Sequence, residues 1–413
     1  MKGVLVIVDG MGDLPNKQLD GKTPLEAANT PNLDFLASRG EMGYMYPVRP
    51  GFVPESDEAI VSIFGNELVS SSRGQLEVRG TNVKLTRGDL ALRVNFATIN
   101  SLEKGEVIDR RAGRTLTTSE AEGLAKAIRK IKLACEFVFQ PTVQHRAVLV
   151  LRGGFSDNIS GNDLTYIGGK NKSGEEILVS KPFDEEENTY YTTNILNDFL
   201  EKVYEVLNTH PINLERKRRG LMPANYLLVR GAGIEPPKLK QYKKWVSPSS
   251  MPLEIGFSRV SGMKTFHLEQ PKLKKLDVYA NLYESMARVV KFSIKTLKKH
   301  RKTSDYAYIH IKETDLPGHD NKPFEKKEML EYLDKTLFSF LRKFAPMNKI
   351  KVVVTADHST PCKLKAHSVD PVPVLLYDDS PPKAKHFGET EARKGKLGKI
   401  LGKDLLKKVG FVK

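Results

Sequence analysis

Residues 352–373 read VVVTADHSTPCKLKAHSVDPVP: an apolar run stops at Asp357 and His358, and a second histidine, His367, follows soon after. A near-continuous apolar run is typical of a strand that is buried on both faces of a parallel sheet. In open α/β sheets, ligands bind beyond the carboxyl ends of the strands. The stretch therefore predicts a core strand whose polar end lies at a ligand site.

Two other apolar runs have the same form as KVVVTAD at 351–357. They are VLVIVD at 4–9 and YAYIHIKETD at 306–315, and the second is followed by LPGHD. If the three strands are parallel neighbours, their polar ends meet at one edge of the sheet. The side chains expected there are Asp9, Asp315, Asp357 and His358, with His319 and His367 from the adjoining loops. One aspartate after a strand is usually a cap or turn residue, but three such strand ends are much harder to explain structurally.

The alternation of strands and amphipathic helices at both ends of the chain predicts an α/β fold built from the two termini. The helical patterns lie at 23–40, 277–300 and 324–344. The middle of the chain differs, because strand-like segments there alternate with glycine turns and one helical stretch at 119–133. We therefore predict a first domain from 1–70 and 235–413, and an inserted α+β domain from 71–234. The Pro- and Lys-rich segment 233–252 is predicted to be the return linker.

Composition indicates a globular protein and argues against several other classes. The chain has 413 residues, of which 39% are hydrophobic and 28% charged, and this predicts a soluble protein of two or three domains. No apolar stretch reaches the roughly 18–20 residues of a membrane span, and the apolar part of the N-terminus is too short for a signal peptide. The two cysteines, Cys135 and Cys362, are expected to be reduced thiols, so the sequence predicts a cytoplasmic protein.

The net charge of +16 comes from scattered lysine clusters. These clusters lack the aromatic residues that single-strand nucleic-acid binders place between basic residues. We expect solvated helix faces and no specific nucleic-acid partner.

The predicted ligand set indicates metal chemistry. Carboxylate and imidazole groups without thiolate suit Mn²⁺, Zn²⁺, Co²⁺ or Mg²⁺, and the histidines disfavour Mg²⁺. Six ligands exceed the need of one ion, whereas two ions about 4 Å apart would clamp a transferring phosphoryl group. Ser56, in VPESDEAIVSIFGNE at 53–67, is a candidate nucleophile. A serine at the start of a helix is also a common N-cap, and the two roles are compatible.

Together the motifs resemble the cofactor-independent phosphoglycerate mutases of the archaeal type, in the alkaline phosphatase superfamily. The matching stretches span nearly the whole chain: VIVDGMGDLP, GKTPLEAANTPNLDFLASRG, PESDEA, GDLALRVNFATIN, IDRRAGR, FSDNISGND, LMPANYLLVRGAG, HIKETDLPGHDNKPFEKKE and TADHSTPCKLKAHSVDPVPVLLY. The resemblance implies an alkaline-phosphatase-like, mostly parallel sheet flanked by helices, with an inserted α+β domain. The chain departs from the family pattern at Glu55 and Glu58, where GSDTA is more usual, and at Val94, where a glycine is usual.

The resemblance also implies roles for individual residues. One ion would be held by Asp315, His319 and His367, and the other by Asp9, Ser56, Asp357 and His358. Ser56 would carry a phosphoserine, and Mn²⁺ is the expected metal. The inserted domain would bind substrate through Asp109, Arg110, Arg111, Arg114, Asp157, Asn158 and Arg230. Asp109 or Asp157 is the expected general acid or base.

The activity that this implies is the interconversion of 3-phosphoglycerate and 2-phosphoglycerate, in glycolysis and gluconeogenesis, without 2,3-bisphosphoglycerate. One alternative is a metal-dependent phosphatase, phosphodiesterase or other phosphomutase of the same superfamily. Another is a basic RNA-associated protein with a vestigial site. The sequence leaves open the native metal, the oligomeric state, and which arginine contacts which substrate group.

Overall fold

The structure is a computed structural model that describes residues 1–67, 73–163, 179–269, 276–383 and 385–412. Its strands are β1 Gly3–Val8, β2 Gly40–Tyr46, β3 Leu90–Ile99, β4 Val107–Asp109, β5 Phe137–Pro141, β6 Arg146–Leu151, β7 Tyr226–Gly233, β8 Trp245–Ser249, β9 Lys264–His267, β10 Tyr306–Ile311, β11 Lys351–Thr355, β12 Val372–Tyr377 and β13 Gly398–Leu401.

The α-helices are α1 Pro24–Ala27, α2 Pro31–Ser38, α3 Ser56–Ile63, α4 Arg73–Arg79, α5 Thr118–Ile128, α6 Glu187–Asn208, α7 Pro211–Arg218, α8 Pro252–Val260, α9 Val278–His300, α10 Asp315–His319, α11 Pro323–Leu333, α12 Ser339–Asn348, α13 Glu389–Lys394 and α14 Leu405–Lys408. A π-helical turn, Asp334–Phe338, joins α11 to α12, and short 3₁₀ turns lie at Lys17–Leu19, Ala112–Arg114 and Gly402–Asp404. Within the described residues, no helix combines the length and apolar character that crossing a membrane requires.

The larger sheet has eight strands in the order β13-β2-β12-β11-β1-β10-β8-β9. Strand β1 is parallel to both β10 and β11, and Ile7 lies opposite His310 on one side and Thr355 on the other. Among the described strands of this sheet, β12 alone runs antiparallel to its neighbours. Every residue of β1 is buried, and α2, α9 and α12 pack against the sheet. The prediction of a mostly parallel α/β sheet, with the three apolar runs side by side, is confirmed.

The predicted linker at 233–252 is wrong in its second half, because β8 lies there as a strand of the larger sheet. Trp245 is buried and packs edge-to-face against Phe64 and Tyr242, with ring centroids 5.4 Å away in both cases. The rest of the strand, VSPS, is short and contains polar residues, so its sequence shows no apolar run. Its buried Ser247 hydroxyl accepts a hydrogen bond from Ser258 at 2.9 Å, which offsets the cost of burying a polar group.

The smaller sheet consists of β4-β3-β6-β5, with β7 also paired to β3, and all its pairs are antiparallel. Helices α5, α6 and α7 accompany it, so the α+β character of the middle segment is confirmed. The prediction of a single helical stretch there is wrong, because α4, α6 and α7 were missed. The buried residues of α6 include Leu196, Phe199, Val203 and Leu207, which recur at the spacing of one helix face.

The two sheets are joined through a close contact between α4 and α8. A Cβ atom added at Gly256 would lie 1.8 Å from the carbonyl oxygen of Leu76, so only glycine permits this approach. The proposed domain boundary between 234 and 235 falls just after β7. The proposed boundary between 70 and 71 lies outside the described residues.

Candidate active site

Three strand ends meet at one edge of the larger sheet. Asp9 directly follows β1, and its backbone N–H donates to the carbonyl oxygen of Ile311 at 2.8 Å, which continues the parallel pairing with β10. The next residue, Gly10, has a φ of 61°, and an added Cβ would lie 2.7 Å from the Oδ1 atom of Asp315. Glycine therefore lets the β1 turn approach Asp315 closely. Asp357 holds the same turn, since its Oδ1 atom accepts from the backbone N–H groups of Gly10 at 3.2 Å and His358 at 3.1 Å.

His358 is linked to two of the carboxylates at this edge, those of Asp9 and Asp315. Its Nε2 atom is 3.1 Å from the Oδ1 atom of Asp9, and its Nδ1 atom is 3.0 Å from the hydroxyl of Thr360. The Thr360 hydroxyl in turn donates to the Oδ1 atom of Asp315 at 2.7 Å. This hydrogen-bond chain fixes the ring orientation of a buried histidine.

His319 and His367 complete the cluster, His319 from the end of the short helix α10 and His367 from a loop. The Nε2 atom of His319 is 3.2 Å from the Asp315 carboxylate, and that of His367 is 3.7 Å from it. The rings of His358 and His367 stack with centroids 3.6 Å apart. Backbone carbonyls orient the two outer rings, because His319 Nδ1 lies 3.1 Å from the oxygen of Lys365 and His367 Nδ1 lies 3.0 Å from that of Pro54. A fixed Nδ1–H leaves Nε2 available as a ligand.

Ser56 is the first residue of α3 and lies beside the cluster. Its Oγ atom is 3.4 Å from His358 Nε2 and accepts a hydrogen bond from the Lys312 ammonium at 3.0 Å. The N-cap interpretation of Ser56 is wrong, because Glu55 occupies the N-cap position and its backbone N–H donates to Glu58 at 2.9 Å. The hydroxyl of Ser56 is therefore not used in capping.

Three residues of the site were not assigned from the sequence: His310, Lys312 and Glu254. The ammonium of Lys312 forms ion pairs with Asp9 and, at 3.3 Å, with Glu254. His310 Nε2 lies 3.3 Å from the Oδ2 atom of Asp357. An imidazole inside the apolar run YAYIHI was the available signal for His310. Glu254 lies on α8, next to the segment predicted as a linker, and no pattern marked it.

The residues present fit divalent metal ions. Within the described residues, two groups have ligand atoms that all lie within 4.8 Å of one another: Asp315 with His358 and His367, and Asp9 with His310 and Asp357. In the second group, the buried Oδ2 atom of Asp357 and Nε2 atom of His310 lie 3.3 Å apart, but among the described residues neither atom makes a hydrogen bond of good geometry. Buried polar atoms left in this state are costly unless a ligand such as a metal ion binds them. All seven predicted metal-site residues therefore come together, with His310 as an unexpected neighbour.

The histidines of the cluster have opposite pKa shifts. Burial acts to lower the pKa of His358, but Asp357 and Asp9 raise it to about 9. Burial and the neighbouring His358 lower the pKa of His367 to about 4. In the metal-free protein at neutral pH, His358 is therefore protonated and His367 is neutral.

Metal binding at pH 7.5 is expected to release about one proton from His358, because a metal ion requires the unprotonated nitrogen. No proton is expected from His367. Calorimetric titration of the metal-free protein with Mn²⁺, in buffers that differ in ionisation enthalpy, measures the number released. A His358→Gln variant should release about one proton fewer. Equal release from both proteins would contradict this prediction.

Among the described residues, the middle part of the chain, which carries the smaller sheet, contributes seven arginines to a cavity of about 450 Å³ that is also lined by Ser56 and by part of the aspartate and histidine cluster. Among the residues predicted to bind substrate, Arg110, Arg111, Arg114 and Arg230 line this cavity.

The other three predicted substrate residues do not line the cavity. Asp109 accepts hydrogen bonds from the backbone N–H groups of Arg111 at 2.7 Å and Gly113 at 2.9 Å, so it shapes the turn that carries the arginines. Asp157 accepts from the backbone of Ile234 at 3.1 Å, and Asn158 donates to Asp184. Their predicted roles in substrate binding and proton transfer remain predictions.

Glu55, which departs from the family pattern, connects the start of α3 to the part of the chain that carries the smaller sheet. Its Oε2 atom lies 3.4 Å from Arg73 and 3.4 Å from Arg230. Burial acts to raise the pKa of Glu55, but Arg230, His367 and Arg73 hold it well below its usual range. Glu55 is therefore an ion-paired carboxylate. The carboxylate of Glu58 accepts a hydrogen bond from the backbone N–H of Glu55 at the start of α3.

Comparison with known proteins shows which proteins this chain is similar to. The profile of the family described as 2,3-bisphosphoglycerate-independent phosphoglycerate mutase matches residues 37–213. Curated proteins of that name from Thermococcus kodakarensis and Pyrococcus furiosus are each 39% identical to this chain, and each alignment covers 98% of this chain and 95% of the relative.

Two solved structures are also similar over their whole length. A protein from Pyrococcus horikoshii is 31% identical, with a TM-score of 0.75, and the match covers 100% of this chain and 98% of that one. The cofactor-independent phosphoglycerate mutase from Thermoplasma acidophilum is 28% identical, with a TM-score of 0.58 and coverage of 100% and 99%.

Proposed function

This chain belongs to the 2,3-bisphosphoglycerate-independent phosphoglycerate mutases, which are isomerases, and we propose that it interconverts 3-phosphoglycerate and 2-phosphoglycerate through a phosphoserine on Ser56. The observation that supports this most strongly is the position of Ser56. Its hydroxyl, which is not used in capping, lies within 3.4 Å of His358 and 3.0 Å of Lys312, where three strand ends meet. That placement suits a nucleophile.

The cluster is proposed to hold two divalent metal ions, with Mn²⁺ as the first expectation and Zn²⁺, Co²⁺ or Mg²⁺ as alternatives. Asp315, His319 and His367 are the proposed ligands of one ion, and Asp9, Ser56, Asp357 and His358 those of the other. When bound, the two ions would lower the pKa of the serine hydroxyl and neutralise charge on the phosphoryl oxygens. Because His358 lies within reach of both residue groups and His310 joins the second, the division of ligands stays a prediction.

The residues of the chain then perform two successive displacements. The Ser56 oxygen attacks phosphorus, the Ser–O–P bond forms, and the bond from phosphorus to the 3-oxygen of the glycerate breaks. The Lys312 ammonium, which donates to Ser56 Oγ, positions that oxygen for in-line attack. Glycerate stays in the cavity and turns, its 2-hydroxyl oxygen attacks the phosphoserine, and Ser56 is regenerated. The proton that the glycerate 3-oxygen gains balances the proton that the 2-hydroxyl loses.

These two displacements require the cavity to exclude water while the phosphoserine exists. We propose that contacts of Asp320 with residues on both sides of the cavity help to keep it closed. Arg114 of the inserted domain lies 2.5 Å from the Oδ1 atom of Asp320, and Tyr279 donates to the Oδ2 atom of the same residue at 2.8 Å. Asp320 directly follows His319, so these contacts link the inserted domain to the end of α10.

Replacing Asp320 by alanine is expected to open the cavity and divert phosphoserine to water. The ratio of inorganic phosphate released to 2-phosphoglycerate formed should rise about tenfold or more, since the charged hydrogen bonds lost are each worth about 1.5–3 kcal/mol. Simultaneous assays of phosphate and 2-phosphoglycerate give the ratio, and metal analysis checks that the site remains loaded. Asp379→Ala, which removes an exposed ion pair with Arg39, is the control. An unchanged ratio in loaded Asp320→Ala protein would contradict the role of the Asp320 contacts.

The proposed reaction itself is tested by incubation with 3-phosphoglycerate and Mn²⁺ in the absence of 2,3-bisphosphoglycerate. The expected product is 2-phosphoglycerate, with little free phosphate. Stoichiometric release of phosphate would instead identify a phosphatase and overturn the proposal.

A further inference from the structure

The beginnings of five neighbouring strands form an edge of the larger sheet that lies opposite the candidate active site. Strands β11, β1, β10, β8 and β9 are consecutive in the sheet and parallel to one another. Gly3 of β1 lies opposite both Tyr306 of β10 and Lys351 of β11, so these strands begin at the same level. Because β1 has six residues, this amino edge lies about 20 Å from the carboxyl edge that carries Asp9.

Lysines lie at four of the five strand starts on the amino edge. Lys351 is the first residue of β11, Lys2 directly precedes β1, Lys244 directly precedes β8, and Lys264 is the first residue of β9. All four residues are exposed. Since neighbouring strands are about 4.8 Å apart, the five starts form a row about 19 Å long.

The fifth strand start carries the one acid of this row. Asp305 directly precedes β10, and its Oδ2 atom lies 3.7 Å from the Nζ atom of Lys2 and 3.8 Å from that of Lys244. One carboxylate shared by two ammonium groups leaves a net positive charge. Asp305 is also the only acidic residue in the segments that form and precede these strands, which are 1–8, 238–253, 255–268, 285–305 and 335–356.

Further cations surround the row. The turns that lead into the strands, together with the end of α9, carry the exposed residues Lys243, Lys299, Arg301, Lys302 and Lys349. Their combined effect is visible at His300, because burial and the charges of Lys264 and Lys299 lower its pKa. Like charges held this close repel one another and destabilise the compact fold. The clustering therefore does not serve stability, and a bound polyanion would offset its cost.

The form of the amino edge suits one strand of nucleic acid. A nucleic-acid strand in a duplex carries a phosphate about every 3.4 Å along the axis, so a row of about 19 Å can lie beside about five phosphates. A flexible single strand can follow a straight row more closely than a stiff duplex can, and RNA is the nucleic acid that proteins commonly recognise as a single strand. In the five segments, Met347 is the one exposed large hydrophobic residue, so the edge offers little apolar area for insertion into a membrane.

We propose that the amino edge binds single-stranded RNA through its phosphate backbone, at a surface separate from the candidate active site. The binding is independent of base sequence, because phosphate contacts carry no direct sequence information. It is therefore compatible with the prediction of no specific nucleic-acid partner. This inference goes beyond the proposed function and does not depend on it.

Fluorescence anisotropy with a labelled single-stranded RNA of mixed sequence tests the proposal on the full chain. The variant replaces Lys2, Lys244, Lys264 and Lys351 together by glutamine. At about 50 mM salt, this variant should bind the RNA about 100-fold more weakly than the unmodified protein. The dependence of log affinity on log salt concentration should also change, because each phosphate contact with a single strand contributes a slope of about −0.7, so four lost contacts reduce the slope by about 3. Mutase turnover should stay within about twofold of the unmodified value, because the edge is about 20 Å from the site.

A matched control removes the same number of charges elsewhere. Replacing the exposed residues Lys84, Lys126, Lys130 and Lys217 by glutamine gives an equal net charge without altering the amino edge. This control should keep RNA affinity within about threefold of the unmodified protein, since long-range effects of exposed charges are screened.

An additional variant is expected to act in the opposite direction. Asp305→Asn removes the one negative charge of the row and should strengthen RNA binding about threefold or more. A gain of affinity cannot result from partial unfolding, so this variant tests the surface even if the fourfold variant proves unstable.

Three results would overturn the proposal. The first is an equal loss of RNA affinity in the fourfold variant and its matched control, which would mean that net charge alone matters. The second is tighter binding of a duplex DNA of the same length than of the single-stranded RNA. The third is failure of the unmodified protein to bind RNA while it binds vesicles of phosphatidylglycerol and phosphatidylcholine, which would identify a membrane surface as the partner. Each of these results leaves the mutase assay unaffected, so the proposed function is judged separately.

Discussion

Replacing Ser56 by alanine is expected to lower kcat for the conversion of 3-phosphoglycerate to 2-phosphoglycerate by about 10⁴- to 10⁶-fold, as for other nucleophiles that form a covalent intermediate. The reason is geometric. The Ser56 oxygen lies 3.4 Å from His358 Nε2 and 3.0 Å from the Lys312 ammonium, and it is the atom proposed to accept phosphorus. The measurement is a steady-state assay with Mn²⁺ and without 2,3-bisphosphoglycerate.

The matched control for this variant lies in the same helix. Ser62 is also buried in α3 but does not line the cavity, so Ser62→Ala removes the same hydroxyl without touching the site. It should retain turnover within a few-fold of the unmodified protein. Metal content must be measured in parallel, since Ser56 is also a proposed ligand. Undiminished turnover by Ser56→Ala protein would refute the covalent intermediate.

The second large effect is expected from Asp357→Asn, which should lower kcat about 10³-fold or more and reduce the number of bound divalent ions per chain. Asparagine keeps a side-chain oxygen that can accept from the N–H groups of Gly10 and His358, so the turn is preserved. The negative charge beside His310 and Lys312 is lost, and a cation is held less tightly. The variant therefore separates the charge of Asp357 from its structural hydrogen bonds.

Metal analysis and activity are measured on the same preparation of Asp357→Asn protein. Asp378→Asn, on the exposed loop after β12, is the control and should keep both metal content and turnover. Removal of metal from the unmodified protein by a chelator should abolish turnover, and added Mn²⁺ should restore it. Full activity after exhaustive chelation would exclude the proposed metal chemistry.

Sequence reasoning located the cluster because the relevant information is local. A buried strand in a parallel sheet needs an unbroken apolar run, and the residue that ends the run must lie at the edge of the sheet. Asp9, Asp315 and Asp357 could therefore be placed before any contact was known. The same argument did not reach β8, because WVSPS is buried through contacts of Trp245 with residues distant in sequence.

The remaining features depend on contacts between distant residues. Glu254 approaches Lys312 only because α8 follows a strand that the sequence did not reveal. The bridge between Arg114 and Asp320 joins residues that are 206 positions apart in the sequence. The error at Ser56 has a local cause instead. The N-cap of α3 is Glu55, one residue earlier, and glutamate is not among the residues that usually occupy this position, so the sequence pointed to Ser56.

The most direct test of the central claim is the stereochemical course at phosphorus. Phosphoglycerate whose phosphoryl group is made chiral with oxygen isotopes is converted by the unmodified protein, and the configuration in the product is determined. Each in-line displacement inverts phosphorus, so transfer to Ser56 and back to glycerate predicts overall retention. Inversion would mean a single direct transfer between the glycerate oxygens and would contradict the phosphoserine.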